Sequence, residues 1–206
     1  MDNGNATGIF HIPIYTAKLE TINYNDIMVS IEESGGWGRN DGGNFISVNK
    51  WILDEGNLAP LRGECEHHLN RFLTEVVKLK LKFSITQSWV NRNPKGSSHV
   101  EHTHRNSIWN CVMFLKDHPT PMIFRDPNPW KDFWDWDNET IEPNWANSNI
   151  VNIYPEFGKI VFFPHYLHHR VDTNMYDVER VSLAFNTWFD GDFGGESKLT
   201  STKKRL

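Results

Sequence analysis

Ser98-His99-Val100-Glu101-His102-Thr103-His104 packs three imidazoles and a carboxylate into one short stretch, and how it is read decides the fold. If His102 and His104 share a β-strand, the two-residue period turns both side chains to the same face, where two imidazoles can meet one cation. A third ligand must then come from elsewhere. Two later clusters are available: Phe163-Pro164-His165-Tyr166-Leu167-His168-His169, and the strand-like Arg180-Val181-Ser182-Leu183-Ala184-Phe185-Asn186. The His-x-His pair by itself is weak evidence, because histidine often serves as a satisfied polar residue of a half-buried sheet. The metal reading depends on the other two clusters.

The remaining residues bound the kind of protein. A chain of 206 residues is long enough for one well-buried core, and nothing in it marks a second domain. A net charge of -5 gives no basic field for nucleic acid or an anionic membrane. The mean hydropathy is -0.55 and no apolar run approaches a membrane span, so a soluble chain is expected. Met1-Asp2-Asn3-Gly4-Asn5 lacks the basic and then apolar pattern of a signal sequence, and only Cys65 and Cys111 are present. Both cysteines sit among apolar neighbours and are expected in the core of a protein of the reducing cytoplasm.

Read in order, Ile9 to Tyr15 is a β-branched and aromatic run expected as an edge strand, since Pro13 cannot donate to a ladder. His11 on it is expected to be structural. Asn25-Asp26 can cap a helix carrying Ile27, Met28 and Ile31 that ends by Gly35-Gly36. A polar loop to Asn44 and a strand over Phe45 to Leu53 should follow. Leu58, Leu61, Cys65, Leu69, Phe72, Val76 and Leu79 recur at three and four residues, which predicts one long amphipathic helix covering a sheet. His67 and His68, adjacent on it, diverge and are not ligand candidates. From Phe83 onward the pattern is mainly β: 83–91, 108–115, 122–125, 160–163 and 180–188. Helices first and strands after predicts an α+β domain whose sheet region is a sandwich or barrel. The expected organisation is a single domain over 1–206: N-terminal elements over 1–80, a barrel over 81–190, and a mobile tail over 191–206. Residues 127–155 form an acidic, tryptophan-rich insertion with Trp130, Phe133, Trp134, Trp136 and Trp145, either a lid or binding surface or a satellite apolar cluster.

Imidazoles on one strand, a distal histidine after a Phe-Pro turn and an arginine further along the chain meet the needs of a non-haem iron site that binds a keto acid. Iron needs a facial set of three protein ligands with open positions. The far carboxylate of a 2-oxo diacid needs a bidentate cation, a task that suits the planar fork of arginine. Alternation sets Arg180, Ser182, Ala184 and Asn186 against Val181, Leu183 and Phe185, so Arg180 and Ser182 share a polar face. That face is either the barrel interior or simply solvated. A turn through Asp172-Thr173-Asn174 would return the Arg180 strand beside the strand of His169.

Short motifs distributed along the chain point one way. They are Phe10-x-x-Pro13-Ile14-Tyr15, Ser47-Val48-Asn49-Lys50-Trp51, Ser88-Trp89-Val90-Asn91, Lys95-Gly96-Ser97, His102-x-His104-x-x-Ser107, Asp126-Pro127, Phe163-Pro164, Leu167, His169-x-Val171 and Glu179-Arg180-x-Ser182-x-x-Phe185-Asn186. By them the chain resembles the 2-oxoglutarate/Fe(II)-dependent oxygenase family found in bacteria and their phages. The resemblance implies a double-stranded β-helix, the jelly-roll or cupin-like barrel, with the N-terminal helices flanking it. It also implies Fe(II) and 2-oxoglutarate, with His102, His104 and His169 at the metal positions and Arg180 with Ser182 at the cosubstrate carboxylate. Asn91, Ser107, Asn110 and Asn186, with Trp134 and Trp136 of the insertion, are the candidates for the layer behind these ligands or for substrate contact.

The chain departs from the wider superfamily by carrying His104 where a carboxylate is usual, Arg105 where a proline is common, and Met113-Phe114 in place of two tyrosines. Glu101, in a His99-x-Glu101 pair on an irregular strand, and Asp126 are the alternative ligands. The function implied is oxidation of a C–H bond with decarboxylation of 2-oxoglutarate to succinate. The alternative is a cupin-like metal-binding or structural module without turnover. The substrate, a small molecule or a protein side chain, and the oligomeric state are not legible, and a cytoplasmic place of action, the host's if phage-encoded, is expected.

Overall fold

The computed structural model describes residues 7–132, 139–194, 199 and 201. In chain order the elements are β1 (Tyr15–Lys18), α1 (Tyr24–Glu33), β2 (Trp37–Arg39), β3 (Phe45–Ser47), α2 (Ala59–Arg71), β4 (Lys82–Asn93), β5 (His99–His102), β6 (Trp109–Phe114), β7 (Met122–Arg125), β8 (Ile150–Ile153), β9 (Lys159–Pro164), β10 (His169–Val171) and β11 (Arg180–Asp190). They form a seven-stranded sheet of order β1-β9-β6-β11-β4-β3-β2 and a four-stranded sheet of order β5-β10-β7-β8. This is the α+β, double-stranded β-helix arrangement.

The alternation along β11 decides what each side of the larger sheet touches. Val181, Leu183 and Phe185 pack with Val90, Phe162, Leu61, Cys65, Leu69 and Phe72 in the cluster beneath the helices. Ala184 turns the other way, into a second cluster with Val112, Phe114, Val161 and Phe163 of the same sheet and Met122 and Phe124 of the smaller one. The barrel interior therefore lies between the two sheets, and Arg180 and Ser182 share the Ala184 face.

The helices form where local chemistry allows and stop where it fails. The side chain of Asn23, not Asn25-Asp26, caps α1 by accepting the N–H groups of Asn25 at 3.1 Å and Asp26 at 3.4 Å. Its buried face is Ile27, Ser30 and Ile31. Two glycines follow at φ 108° and 69°, a left-handed conformation that ends the helix. In α2, Pro60 occupies the first turn, where its missing N–H costs nothing, and Leu61, Cys65 and Leu69 are buried at a spacing of four. Removing such a side chain, as in Leu69→Ala, costs about 2–5 kcal/mol.

The long helix expected to reach Leu79 does not. It widens into a π-type turn over Phe72–Val76, leaves Val76 half-exposed, and ends with the Leu79 N–H donating to the Leu73 carbonyl at 2.9 Å. The strand expected over Ile9 to Tyr15 starts only at Tyr15, because Pro13 offers no N–H, while Ile9, Phe10 and His11 stay exposed. Trp37–Arg39, expected as loop, pairs as β2 with β3, and β3 stops at Ser47 instead of running to Leu53. The 127–155 insertion yields its last residues to the barrel: β8 pairs with β7 and edges the smaller sheet. Phe133, Trp134 and Trp136 lie outside the described residues, as does most of the 191–206 tail; Trp145 is exposed. The two cysteines are buried and free, with burial pushing both thiols up. No helix among the described residues is long and apolar enough to cross a membrane.

Candidate active site

β5 and β10 pair so that His102 stands directly opposite His169, which places one histidine from each cluster side by side. His104 joins them by a different route. It lies beyond the end of β5, so the shared strand face expected from its spacing is not what positions it. Its backbone N–H donates to the His165 carbonyl at 3.2 Å, its ring stacks on Trp89 at 5.7 Å, and its Nδ1 lies 2.7 Å from Asn186 Oδ1. Ring centroids are 4.3 Å apart for His102 and His169, 5.1 Å for His104 and His169, and 5.2 Å for His102 and His104. One ligand atom from each falls within 4.8 Å of the other two, and this is the single such group among the described residues.

The hydrogen bonds around the rings fix which nitrogen is free. Nδ1 of His102 faces the Val100 carbonyl at 2.8 Å, and Nδ1 of His169 faces the Leu167 carbonyl at 3.2 Å. A carbonyl oxygen only accepts, so each Nδ1 carries its proton and each Nε2 keeps a lone pair. With its amide oxygen turned to the ring, Asn186 does the same for His104. Burial pushes His104 down to about 4, and holds His102 below its ordinary range. His169 falls well below that range, first through burial and then through His102 and His104. Three neutral imidazoles with their Nε2 atoms free are a donor set that suits a divalent transition metal such as Fe(II).

The alternatives lie elsewhere. Glu101 points out of the barrel, with Arg170 Nη1 at 3.3 Å, Arg125 Nη1 at 3.4 Å and His168 Nδ1 at 3.6 Å. Asp126 accepts the Asn128 N–H at 2.8 Å and pairs with Lys131 at 2.8 Å. His99 stacks on His102 at 4.6 Å without entering the ligand group. His168 is exposed on the outer side while His169 is buried.

Deeper in the interior Arg180 is 2% exposed. Its Nη1 donates to Ser182 Oγ at 3.4 Å and its guanidinium lies over the Phe114 ring at 5.3 Å. Nε and Nη2 have no protein partner, and no carboxylate lies within 4.0 Å among the described residues. Burial lowers Arg180 to about 10, so the group is still a cation at neutral pH. An uncompensated buried cation is costly, which marks the place for an anion. The expected position of its strand is corrected: β11 pairs with β4 and β6 of the larger sheet, not with β10 of the smaller one.

Asn91 faces Ser182 across the ladder with its Oδ1 unpartnered, and Asn110 is fully buried opposite Asn186 with both amide atoms unpartnered. Ser107 does not belong to the cavity. Its hydroxyl donates to the Trp109 carbonyl at 3.0 Å and accepts the Thr187 N–H at 3.2 Å, pinning the turn before β6. Trp89, Asn93 and Asn44 were not expected in the interior; the two-residue alternation through Trp89, Asn91 and Asn93 is the signal that marks the first two.

Residues 87–186 match the family model described as "Putative 2OG-Fe(II) oxygenase", a span that takes in every candidate metal and keto-acid residue. That segment, a little under half of the chain, is similar to the 2-oxoglutarate/Fe(II)-dependent oxygenases, oxidoreductases that use iron and 2-oxoglutarate, and it contains the one histidine group among the described residues that could hold such a metal. No curated protein matches it in sequence. Among solved structures it is similar to an oxidoreductase of the 2OG-Fe(II) oxygenase family from Burkholderia pseudomallei, at 12% identity and a TM-score of 0.57 over 84% of each chain. It is also similar to a Pseudomonas putida prolyl-4-hydroxylase, at 13% identity and a TM-score of 0.56 over 86% of this chain and 92% of that one. HygX from Streptomyces hygroscopicus, solved with nickel, 2-oxoglutarate and hygromycin B bound, is 9% identical with a TM-score of 0.56 over 85% of this chain and 82% of that one. At these identities the likenesses speak for the fold.

Proposed function

We propose that His102, His104 and His169 hold Fe(II) through their Nε2 atoms, that Arg180 and Ser182 receive the distal carboxylate of 2-oxoglutarate, and that the protein hydroxylates a C–H bond of a small molecule or a protein side chain. When bound, the iron and the keto acid supply oxidation by dioxygen coupled to decarboxylation to succinate. The residues supply position. The Nδ1 bonds to Val100, Asn186 and Leu167 aim the three rings, and the Phe124 and Phe163 side chains beside them keep water out. Fe(II), three neutral imidazoles and a dianion sum to no net charge, which suits a buried site without a carboxylate ligand.

The observation that carries this reading is the buried Arg180 with two unpartnered N–H positions in the same interior as three oriented imidazoles. A cupin-like module without turnover would have no use for that cation. The reading takes the chain as one domain, with 1–80 packing on the barrel, acting in a cytoplasm where Cys65 and Cys111 remain thiols. The test is succinate release by the Fe(II)-loaded protein in air, with and without candidate substrates. Fe(II)-dependent succinate is the expected result; none above the metal-free control under every condition overturns the reading.

A further inference from the structure

Three buried polar side chains lie in one row on the larger sheet, two on neighbouring strands and the third in the loop leading into the next. Arg180 stands directly opposite Asn93 in the β11–β4 ladder, and Asn44 lies one residue before the Phe45–Arg92 pair of β3 and β4, continuing the row. Opposite residues of an antiparallel ladder share a face, and this face is the barrel interior. Asn44 and Asn93 are both 0% exposed, and neither the Oδ1 nor the Nδ2 of either has a protein partner. Buried amides are nearly always hydrogen-bonded, so two in one row beside an unpaired guanidinium point to a polar guest.

Both residues are held in place by their backbones. The Asn93 carbonyl accepts from Asn174 Nδ2 at 2.9 Å. The loop before Asn44 docks so closely that a Cβ at Gly42 would come within 2.2 Å of the Ser98 carbonyl oxygen, while the Ser98 N–H donates to the Gly42 carbonyl at 2.9 Å. On the β6 side the guanidinium lies over the Phe114 ring, which donates nothing. A carboxylate has about four acceptor positions. Arg180 and Ser182 fill part of them, and the unpartnered amides on the β4 and β3 side can fill others.

We propose that Asn93, backed by Asn44, completes the cradle of the distal carboxylate, with amide N–H groups donating to the anion and an amide oxygen accepting from Arg180. The cradle then selects a five-carbon 2-oxo diacid over 2-oxo acids with a single carboxylate. This rests on the 2-oxoglutarate reading of the Arg180 site.

The experiment titrates anaerobic, Fe(II)-loaded protein with 2-oxoglutarate and, separately, with 2-oxobutyrate, which keeps the chelating end and lacks the distal carboxylate. Asn93→Leu should weaken 2-oxoglutarate by about tenfold or more, as for loss of a hydrogen bond to a charged group. It should leave 2-oxobutyrate affinity and bound iron unchanged. Asn44→Ser, a smaller change that keeps a polar group, should shift the ratio of the two affinities in the same direction by less, and it decides the matter if Asn93→Leu does not fold. Wild-type ratios in the Asn variants, with the ratio lost in Arg180→Met, overturn this inference and leave the cosubstrate reading standing. A wild-type ratio in Arg180→Met as well overturns both.

Discussion

At one end of the barrel interior the histidines hang on short and irregular pieces: the four-residue β5, the three-residue β10, and His104 beyond any strand. At the other end Arg180 opens the eleven-residue β11, whose ladder with β4 runs along its whole length. At the metal end a short register sets His102 opposite His169 and hydrogen bonds to Nδ1 turn each ring, whereas at the carboxylate end one long ladder sets the positions. Damage should therefore differ in kind between them, with loss of iron at the first and weakened keto acid with iron retained at the second.

The largest effect should come from the ligands themselves. His169→Ala and His104→Ala should abolish Fe(II) binding in anaerobic equilibrium dialysis, while His168→Ala, on the outer side beside Glu101, should keep most of it. Iron retained in the His169 variant and lost in the His168 variant would erase the register on which the metal end is built.

Arg180→Met comes next. Removing one partner of a buried charged hydrogen bond costs on the order of 2–5 kcal/mol, so 2-oxoglutarate affinity should fall roughly thirtyfold or more with iron still bound. Loss of both together would show the two ends to be one structural unit rather than two.

Asn186 tests the contact between them, since it sits on β11 yet orients His104. Asn186→Leu removes the acceptor of the Nδ1 proton and should weaken Fe(II) by about tenfold, at the lower end of what such outer partners contribute. An unchanged iron affinity would mean that Trp89 stacking and the His165 backbone bond suffice to hold the ring.

Glu101→Ala should matter least. Its partners are partly exposed ion pairs, worth about 0–1 kcal/mol each, so thermal unfolding should shift slightly and iron binding not at all. Loss of iron in this variant would instead support the His99-x-Glu101 pair.

The same contrast explains what could be read from the sequence. β7 was legible to the residue, and the alternation that sets Arg180 and Ser182 against Val181 and Leu183 translated directly into two faces, because a long buried strand obeys a two-residue period. His104 does not reach the site through the two-residue period: His102 ends the strand, and tertiary contacts from Asn186, Trp89 and His165 do the positioning. The partner sheet of β11 could not be read from the Asp172-Thr173-Asn174 turn, since a turn does not say which sheet the chain returns to. α2 stopped short of Leu79 because the apolar period runs on past the point where Phe72–Val76 widens. Asn44 carries no sequence signal at all, being a loop residue brought into the interior by the Gly42–Ser98 contact.

The most direct test of iron at the three histidines with 2-oxoglutarate anchored at Arg180 is the visible spectrum of the anaerobic protein on adding Fe(II) and then 2-oxoglutarate. A metal-to-keto-acid charge-transfer band should appear in the wild type, need a far higher 2-oxoglutarate concentration in Arg180→Met, and be absent in His169→Ala. A wild-type protein that binds one Fe(II) and shows no band at saturating 2-oxoglutarate would contradict the account.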